Sequence, residues 1–479
     1  MNKPYDLVVG LEIHVQLLTA SKAFCGDQNI FGASPNTQVS PVSLAYPGVL
    51  PVANHHSIEL AIRLGLALNS TIASEVRFDR KNYFYPDLPK GYQITQDKLP
   101  ICKGGTLFLP QTGRTLRIHH IHLEDDAGKL IHDQHLDYTL IDLNRAGVPL
   151  LEIVTEPDLR SADEVFECID LIQKLVKHLD VSDGNMEEGS LRCDCNVSVK
   201  PVGSNVLGQR CEIKNLNSRR FAKAAVEYEY QRQVNLLEAG ETIHKQTLHY
   251  DKDKKMTFPL RDKESADDYR YFPDPDLPPI PVPATWIAEI KHAMPALPET
   301  LKNNLITQYK LNKDFASIIG GDKWLYNFYT GICTGWSGEE AAILADLVVQ
   351  KLKQVDQDSE KGLWQQVPAA AWLELVQLVQ NKIINRSTAF STLVDLVLTD
   401  PHTSPANLAK QHQLIAESNA DELMQLVLDT VQQHPQQWEA LRKGKQQLMG
   451  LFMGEVMKKT NGKADPQVTR SLLQELMKK

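Results

Sequence analysis

The sequence contains no uninterrupted apolar run long enough to cross a bilayer, which argues against a membrane-spanning helix. Its start, "MNKPYDLVV", lacks the charged region, apolar core and cleavage site of a secretory leader, so a cytoplasmic protein is expected. Cysteine is sparse: seven thiols, odd in number and unevenly spaced, do not make a disulfide framework, and reduced thiols are expected. There is no G-x-x-x-x-G-K-[ST] loop, no G-x-G-x-x-G after a strand and no H-E-x-x-H. Positive charge is in deficit too. A net charge of −9 argues against a surface that grips nucleic acid everywhere, though not against a local basic patch.

What is present is an ordinary globular composition, 42% hydrophobic and 23% charged, in a chain whose 479 residues exceed what one core supports. The pattern predicts an α+β protein of three parts. Residues 1–290 mix short alternating segments with two clear helices. The first, "RSADEVFECIDLIQKLVKHLD", opens with Ser161 and Glu164 in capping-box spacing. The second starts after Ser218 and stops at Gly240. Proline-dense "YFPDPDLPPIPVPATW" then ends both patterns. Helical segments follow, and "LTDPHTSPANLAKQ" divides them near residue 405 into a middle part, 291–405, and a small C-terminal part, 406–479.

The alternating segments raise one question repeatedly. In "VGLEIHVQL" Val9, Leu11, Ile13, Val15 and Leu17 share one strand face and Glu12, His14 and Gln16 the other. "HHIHLEDDAGK" alternates likewise through His122 and Glu124, "SLRCDCNVSV" through Arg192, Asp194, Asn196 and Ser198, and "RCEIKN" through Glu212 and Lys214. Glu152 lies inside the apolar run "GVPLLEIVTEPD". A buried lone carboxylate costs several kcal/mol or protonates, so a salt-bridge partner or a metal must face it. Five acid-bearing strands favour hard cations such as Mg²⁺, which bring substrate phosphates with them, and arginine or lysine could hold those phosphates. "DRKNYFYPD" adds Arg80 and Lys81 beside three aromatics, the pattern of an amphipathic edge strand.

Two cysteine motifs carry less. "GICTG" flanks Cys333 with glycines, yet it follows "WLYNFY" in the helical region rather than a strand-to-helix elbow, so it is not expected to be a nucleophile. Cys193 and Cys195 lie on an apolar strand face and are expected to be core.

Together "GLEIHVQL", "AYPGVLPV", "FDRKNYFYPDLPKGYQI", "EDDAGK", "DLNRAGVPLLEIVTEPD", "MEEGSLRCDCNVS", "EIKNLNS" and "DDYRYFPDPDLPP" resemble the B-subunit family of tRNA-dependent amidotransferases, from about residue 5 to the C-terminus. The resemblance implies a cradle domain of the glutamine synthetase type, with a curved mixed or antiparallel sheet. It implies that ATP and Mg²⁺ activate the side-chain carboxylate of misacylated Glu-tRNA(Gln), or Asp-tRNA(Asn), for amidation. Ammonia would come through a tunnel from an amidase A subunit, with a small C subunit completing a heterotrimer. By resemblance Glu12, His14, Glu124 and Glu152 bind Mg²⁺, Asp194 lies near a second, nucleotide-linked ion, and Lys81 and Asp125 stand at the tunnel mouth. Arg192 and Lys214, with Asn196 beside them, are assigned to the nucleotide phosphates on chemistry more than on motif. Glu124 is also expected to take part in the reaction.

Two departures from the family stand out. Of a four-cysteine zinc site only Cys25 remains, with Asp27, Ser40 and Ser43 at the other places, so no zinc is expected. Asp125 replaces a glutamate and is one methylene shorter toward Lys81. The tail from Arg442 to Lys479 carries nine Lys or Arg against Glu455, Asp465 and Glu475, which suits contact with a tRNA backbone. Two rival readings share parts of this pattern: a tRNA-holding scaffold with a structural acidic face, and a free-standing carboxylate ligase acting on a small molecule.

Overall fold

A computed structural model describes residues 5–132, 137–262, 269–336, 338–352, 361–415, 420–460, 464 and 466–478. The chain divides into two units, Met1–Pro295 and Ala296–Lys479.

The first unit is organised by a mixed sheet. Its strands run in the order Met256–Asp262, Gln246–Asp251, Cys211–Leu216, Leu191–Pro201, Tyr5–Gln16, Pro149–Thr155, Arg114–Asp125, Cys102–Lys103 and Thr71–Ile72. Neighbours are antiparallel except Cys211–Leu216 beside Gln246–Asp251. A parallel pair needs a crossover, and the helix Arg219–Glu238 supplies it. That helix packs on the strand Leu191–Pro201 and against the helix Ala162–His178.

Alternation does what the sequence implies. Val9, Leu11, Ile13 and Val15 are buried, as are Cys193, Cys195 and Val197 opposite them. Both expected helices form, at Ala162–His178 and Arg219–Glu238. Ser161 accepts from Glu164 N at 3.1 Å, but the return bond of a capping box is displaced: Glu164 Oε2 accepts from Arg160 N at 2.6 Å. Another helix, His55–Ala67, capped by Asn54, goes unannounced by the sequence pattern.

The second unit is helical throughout its described residues and contains two cores. One gathers Trp364, Trp372, Tyr329 and Leu344 and extends to Leu408 and Ala409 on the helix Pro405–Gln411. The other centres on Leu423, Val427, Phe452 and Val456. The break near residue 405 therefore does not separate them: the helix that follows it belongs to the first core. Cys333 caps the end of the helix Lys323–Ile332 and is buried, its thiol pushed up to about 12 by burial. None of the seven cysteines is paired.

Candidate active site

Strand register gathers the polar residues. His14 lies opposite Glu152 on one side and Arg192 on the other, and Glu152 lies opposite His122, so four neighbouring strands contribute one residue each to a single row. Glu12 and Asp194 face each other in the next row. Successive residues point to opposite faces, so a row of this kind shares one side of the sheet.

These rows form two clusters. In the first, His14 Nε2 lies 3.4 Å from Glu152 Oε2 and 3.8 Å from Glu124 Oε1, while His122 Nε2 is 3.4 Å from Glu152 and 3.5 Å from Glu124. Thr95 Oγ1 donates to Glu124 at 3.4 Å. In the second, Glu12, Asp194 and Glu212 bring one carboxylate oxygen each to within 4.8 Å of the others. Lys214 Nζ lies 3.3 Å from Asp194 and 3.2 Å from Glu212, and Asn196 Nδ2 donates to Glu12 at 2.8 Å. Glu12 thus stands with Asp194 and Glu212, one row removed from the expected His14 set.

The electrostatics follow from crowding in a dry place. Burial alone would lower the His14 pKa, but Glu152 and Glu124 outweigh it and hold the ring at about 9. Burial would raise Glu152, yet His122 and His14 keep it well below the carboxylate range. Glu12 is raised, first by burial and then by Glu152 and Glu212. Lys214 and Lys81 are both held above the usual lysine value: burial opposes their charge, and the surrounding acids overcome it. Lys81 Nζ also sits 5.0 Å from the centre of the Tyr269 ring.

A divalent cation fits this arrangement. Apart from the paired Arg192 and Asp126, Glu12, Glu124, Glu152, Asp194 and Glu212 face two permanent cations, Lys81 and Lys214, and the two histidines add charge only when protonated. Carboxylate oxygens are the ligands that Mg²⁺ prefers, while an imidazole is more usual on transition metals. Asn196 Oδ1 and Arg192 Nε are buried on the same strand without hydrogen-bond partners.

Three of the expected residues have side-chain partners of their own. Asp125 does not pair with Lys81: it follows Glu124 on the strand and therefore turns to the opposite side, where it is buried, ion-paired with Lys90 and accepts from Ile94 N at 2.8 Å. Arg192 is already engaged, donating to Asp126 Oδ2 at 2.8 Å. Lys214 bridges Asp194 and Glu212. The sequence puts His122 and Glu212 on polar strand faces without giving them a role, and it passes over Asp126. Asp126, two residues after Glu124, is recoverable from alternation alone; it takes Gln16 Nε2 at 2.9 Å and lies 3.8 Å from Arg145 Nε. Around Cys25, Ser43 hydrogen-bonds Asp27 and lies 3.4 Å from Cys25 Sγ, while Ser40 N donates to Asp27 at 2.9 Å.

Comparison with known proteins gives the family. Residues 7–288 match the "GatB/GatE catalytic domain" family and residues 337–477 the "GatB domain" family. The chain is 42% identical over 479 residues to the B subunit of the aspartyl/glutamyl-tRNA(Asn/Gln) amidotransferase of Caldanaerobacter subterraneus, covering 99% of this chain and 100% of that one. The namesake of Thermodesulfovibrio yellowstonii is 42% identical over 476 residues, 99% of each chain, and that of Janthinobacterium 43% over 485 residues, 99% of each. With nearly its whole length aligned to such relatives, the chain belongs to the GatB family, the B subunits of a glutamine-dependent, ligase-type amidotransferase that acts on aminoacyl-tRNA.

Proposed function

We propose that this chain activates the side-chain carboxylate of a misacylated tRNA with ATP and transfers ammonia to it. The observation that carries the reading is the surplus of buried and half-buried carboxylates over fixed cations, split into two neighbouring clusters. His14, Glu124 and Glu152 would hold one Mg²⁺, and Glu12, Asp194 and Glu212 a second. Bound there, the metal supplies neutralisation of the charge carried by the transferring phosphoryl group.

The chain's own residues do the rest. The substrate carboxylate oxygen attacks the γ-phosphorus of ATP, ADP leaves, and the acyl phosphate so formed has the leaving group that a free carboxylate lacks. Ammonia then attacks the carbonyl carbon, phosphate departs and nitrogen loses a proton. Arg192, fixed by Asp126, and Lys214 bring positive charge to opposite ends of the acidic face. Lys81, kept charged beside the tyrosines, comes to Glu124 from the strand Asp79–Asn82 of a separate three-stranded sheet.

Ammonia would be delivered by an amidase A subunit, with a small C subunit completing the complex, and no zinc is required. Exposed Arg442, Lys443, Lys445, Lys458 and Arg470 would contact the tRNA backbone. A cytoplasmic setting follows from tRNA as substrate.

The test is transfer of γ-labelled phosphate from ATP in the complex, with Glu-tRNA(Gln) present and glutamine omitted. Label should reach the aminoacyl group with the native chain and fall at least about a hundredfold in Glu12→Ala, the scale of losing a charge-stabilising group. Equal transfer in both would leave the chain a tRNA-holding scaffold.

A further inference from the structure

The function proposed above leaves the first two histidines of "HHIHLED" unused. Successive strand residues turn to opposite faces, so His119 and His120 would ordinarily stand apart. A bulge in the strand Arg114–Asp125 prevents this: Ile118 lies opposite Thr155 and His120 opposite Val154, which leaves His119 as the extra residue. Bulges re-aim side chains, and this one brings two neighbouring rings together. Their centroids are 4.9 Å apart, and the two Nδ1 atoms face each other at 2.6 Å.

The pair has a built outer shell. On its far edge His120 Nε2 lies 3.1 Å from His122 Nδ1, with the two rings stacked 5.2 Å apart. A hydrogen bond at the other ring nitrogen is what orients a metal-bound imidazole, and His122 supplies it here. His119 is exposed, so solvent and its ions reach the two Nδ1 atoms. Burial first, then His122 and His119, push His120 down to about 4, and an ion arriving at neutral pH meets an uncharged ring.

The donor set selects the class of ion. Imidazole nitrogens suit Zn²⁺ and its transition-metal neighbours, whereas Mg²⁺ prefers the oxygens of the acidic clusters. A tetrahedral Zn²⁺ with nitrogens at about 2.0–2.1 Å separates two of them by roughly 3.3 Å, so the exposed His119 ring has to swing by less than about 1 Å. Lys103, across the ladder from His120, opposes a cation, but it is exposed and its charge is screened by water. Two protein ligands are fewer than those that hold a resident zinc, so water fills the other positions and the ion exchanges. We propose that His119 and His120 form an exchangeable site for a divalent transition ion of the Zn²⁺ class, separate from the acidic clusters. The site follows from the bulge and the ring pair, and does not depend on the reaction proposed above.

The test is a calorimetric titration of Zn²⁺ into the full-length chain at neutral pH with Mg²⁺ saturating. His119→Ala and His119→Gln should each weaken one binding event at least about tenfold, a loss that removal of even an outer-shell partner brings. Gln keeps a hydrogen bond to His120, so its failure to bind separates that bond from metal ligation. His119→Cys should restore the event, because a thiolate is a zinc ligand. Since His119 is exposed, these variants keep the core intact. Glu152→Gln, which alters the first acidic cluster, should leave the His119-dependent event in place. Zn²⁺ binding that is absent, that is unchanged in both His119→Ala and His119→Gln, or that is lost in Glu152→Gln and kept in His119→Ala would overturn the proposal.

Discussion

His14 is the residue whose protonation competes most directly with a metal ion. Its pKa is raised from the ordinary 6.5 to about 9 by the carboxylates around it. In the metal-free protein the charged ring therefore adds stability that is fully present below pH 6.5 and is lost as pH rises through about 9. A cation bound by the imidazole nitrogen has to displace that proton. Mg²⁺ affinity, followed by titration calorimetry, should accordingly increase between pH 7 and 9.5, and the proton release accompanying it should vanish over the same range. His14→Gln should flatten that dependence. A pH-independent affinity in the native protein would remove His14 from the ligand set.

At this scale the sequence tells which residues are polar and which face they occupy, because period-two alternation is visible without a structure. It does not tell which acids meet. The family resemblance groups Glu12 with His14, but which side chains meet is decided across strands, by register. A bulge between Cys193 and Cys195 shifts the pairing with Cys211–Leu216 and helps bring Glu212 and Lys214 to Asp194. Asn215, in the left-handed region at φ 59°, donates its N–H to Asp194 there at 2.9 Å. No periodicity announces such a bulge.

Among the elements, the helix Ala162–His178 shows how a local signal is realised with altered wiring. Ser161 caps it as the spacing implies, and Glu164 ties Arg160 N and Arg114 instead of closing the reciprocal bond. Ser161→Ala should therefore cost about 1 kcal/mol, the usual penalty for a lost cap, seen as a lower midpoint in chemical denaturation. No change would mean that Glu164 holds the helix end by itself. The strands and these two helices are legible because each carries its own pattern. The helix His55–Ala67 is not: it has no acid in its first turn and no base in its last, so its ends carry little beyond Asn54.

For the molecule as a whole, charge is unevenly distributed. The chain is acidic at −9, while the C-terminal helices expose Arg442, Lys443, Lys445, Lys458 and Arg470. Binding of tRNA should weaken as salt rises, with a linear log–log slope that becomes shallower by about one for each phosphate contact removed. A chain ending after Ile415 keeps Leu408, Ala409 and Leu414 in their core, and should lose tRNA affinity while retaining label transfer at saturating tRNA. Ending it at residue 405 would test something else, since that cut removes core side chains. Normal affinity in the shorter chain would place the tRNA contacts elsewhere.

The row formed by His122, Glu152, His14 and Arg192 runs through consecutive strands inside the large sheet, none of them at its edge. Backbone amides there open to solvent only when the sheet itself comes apart, so the slowest hydrogen exchange in the unit Met1–Pro295 should fall on the residues that carry its chemistry. Most binding sites ride on loops and fray before their scaffold does. Here an ion that ligates those side chains would be a brace across the strands, and holding the cofactor and resisting unfolding would be measured by the same equilibrium.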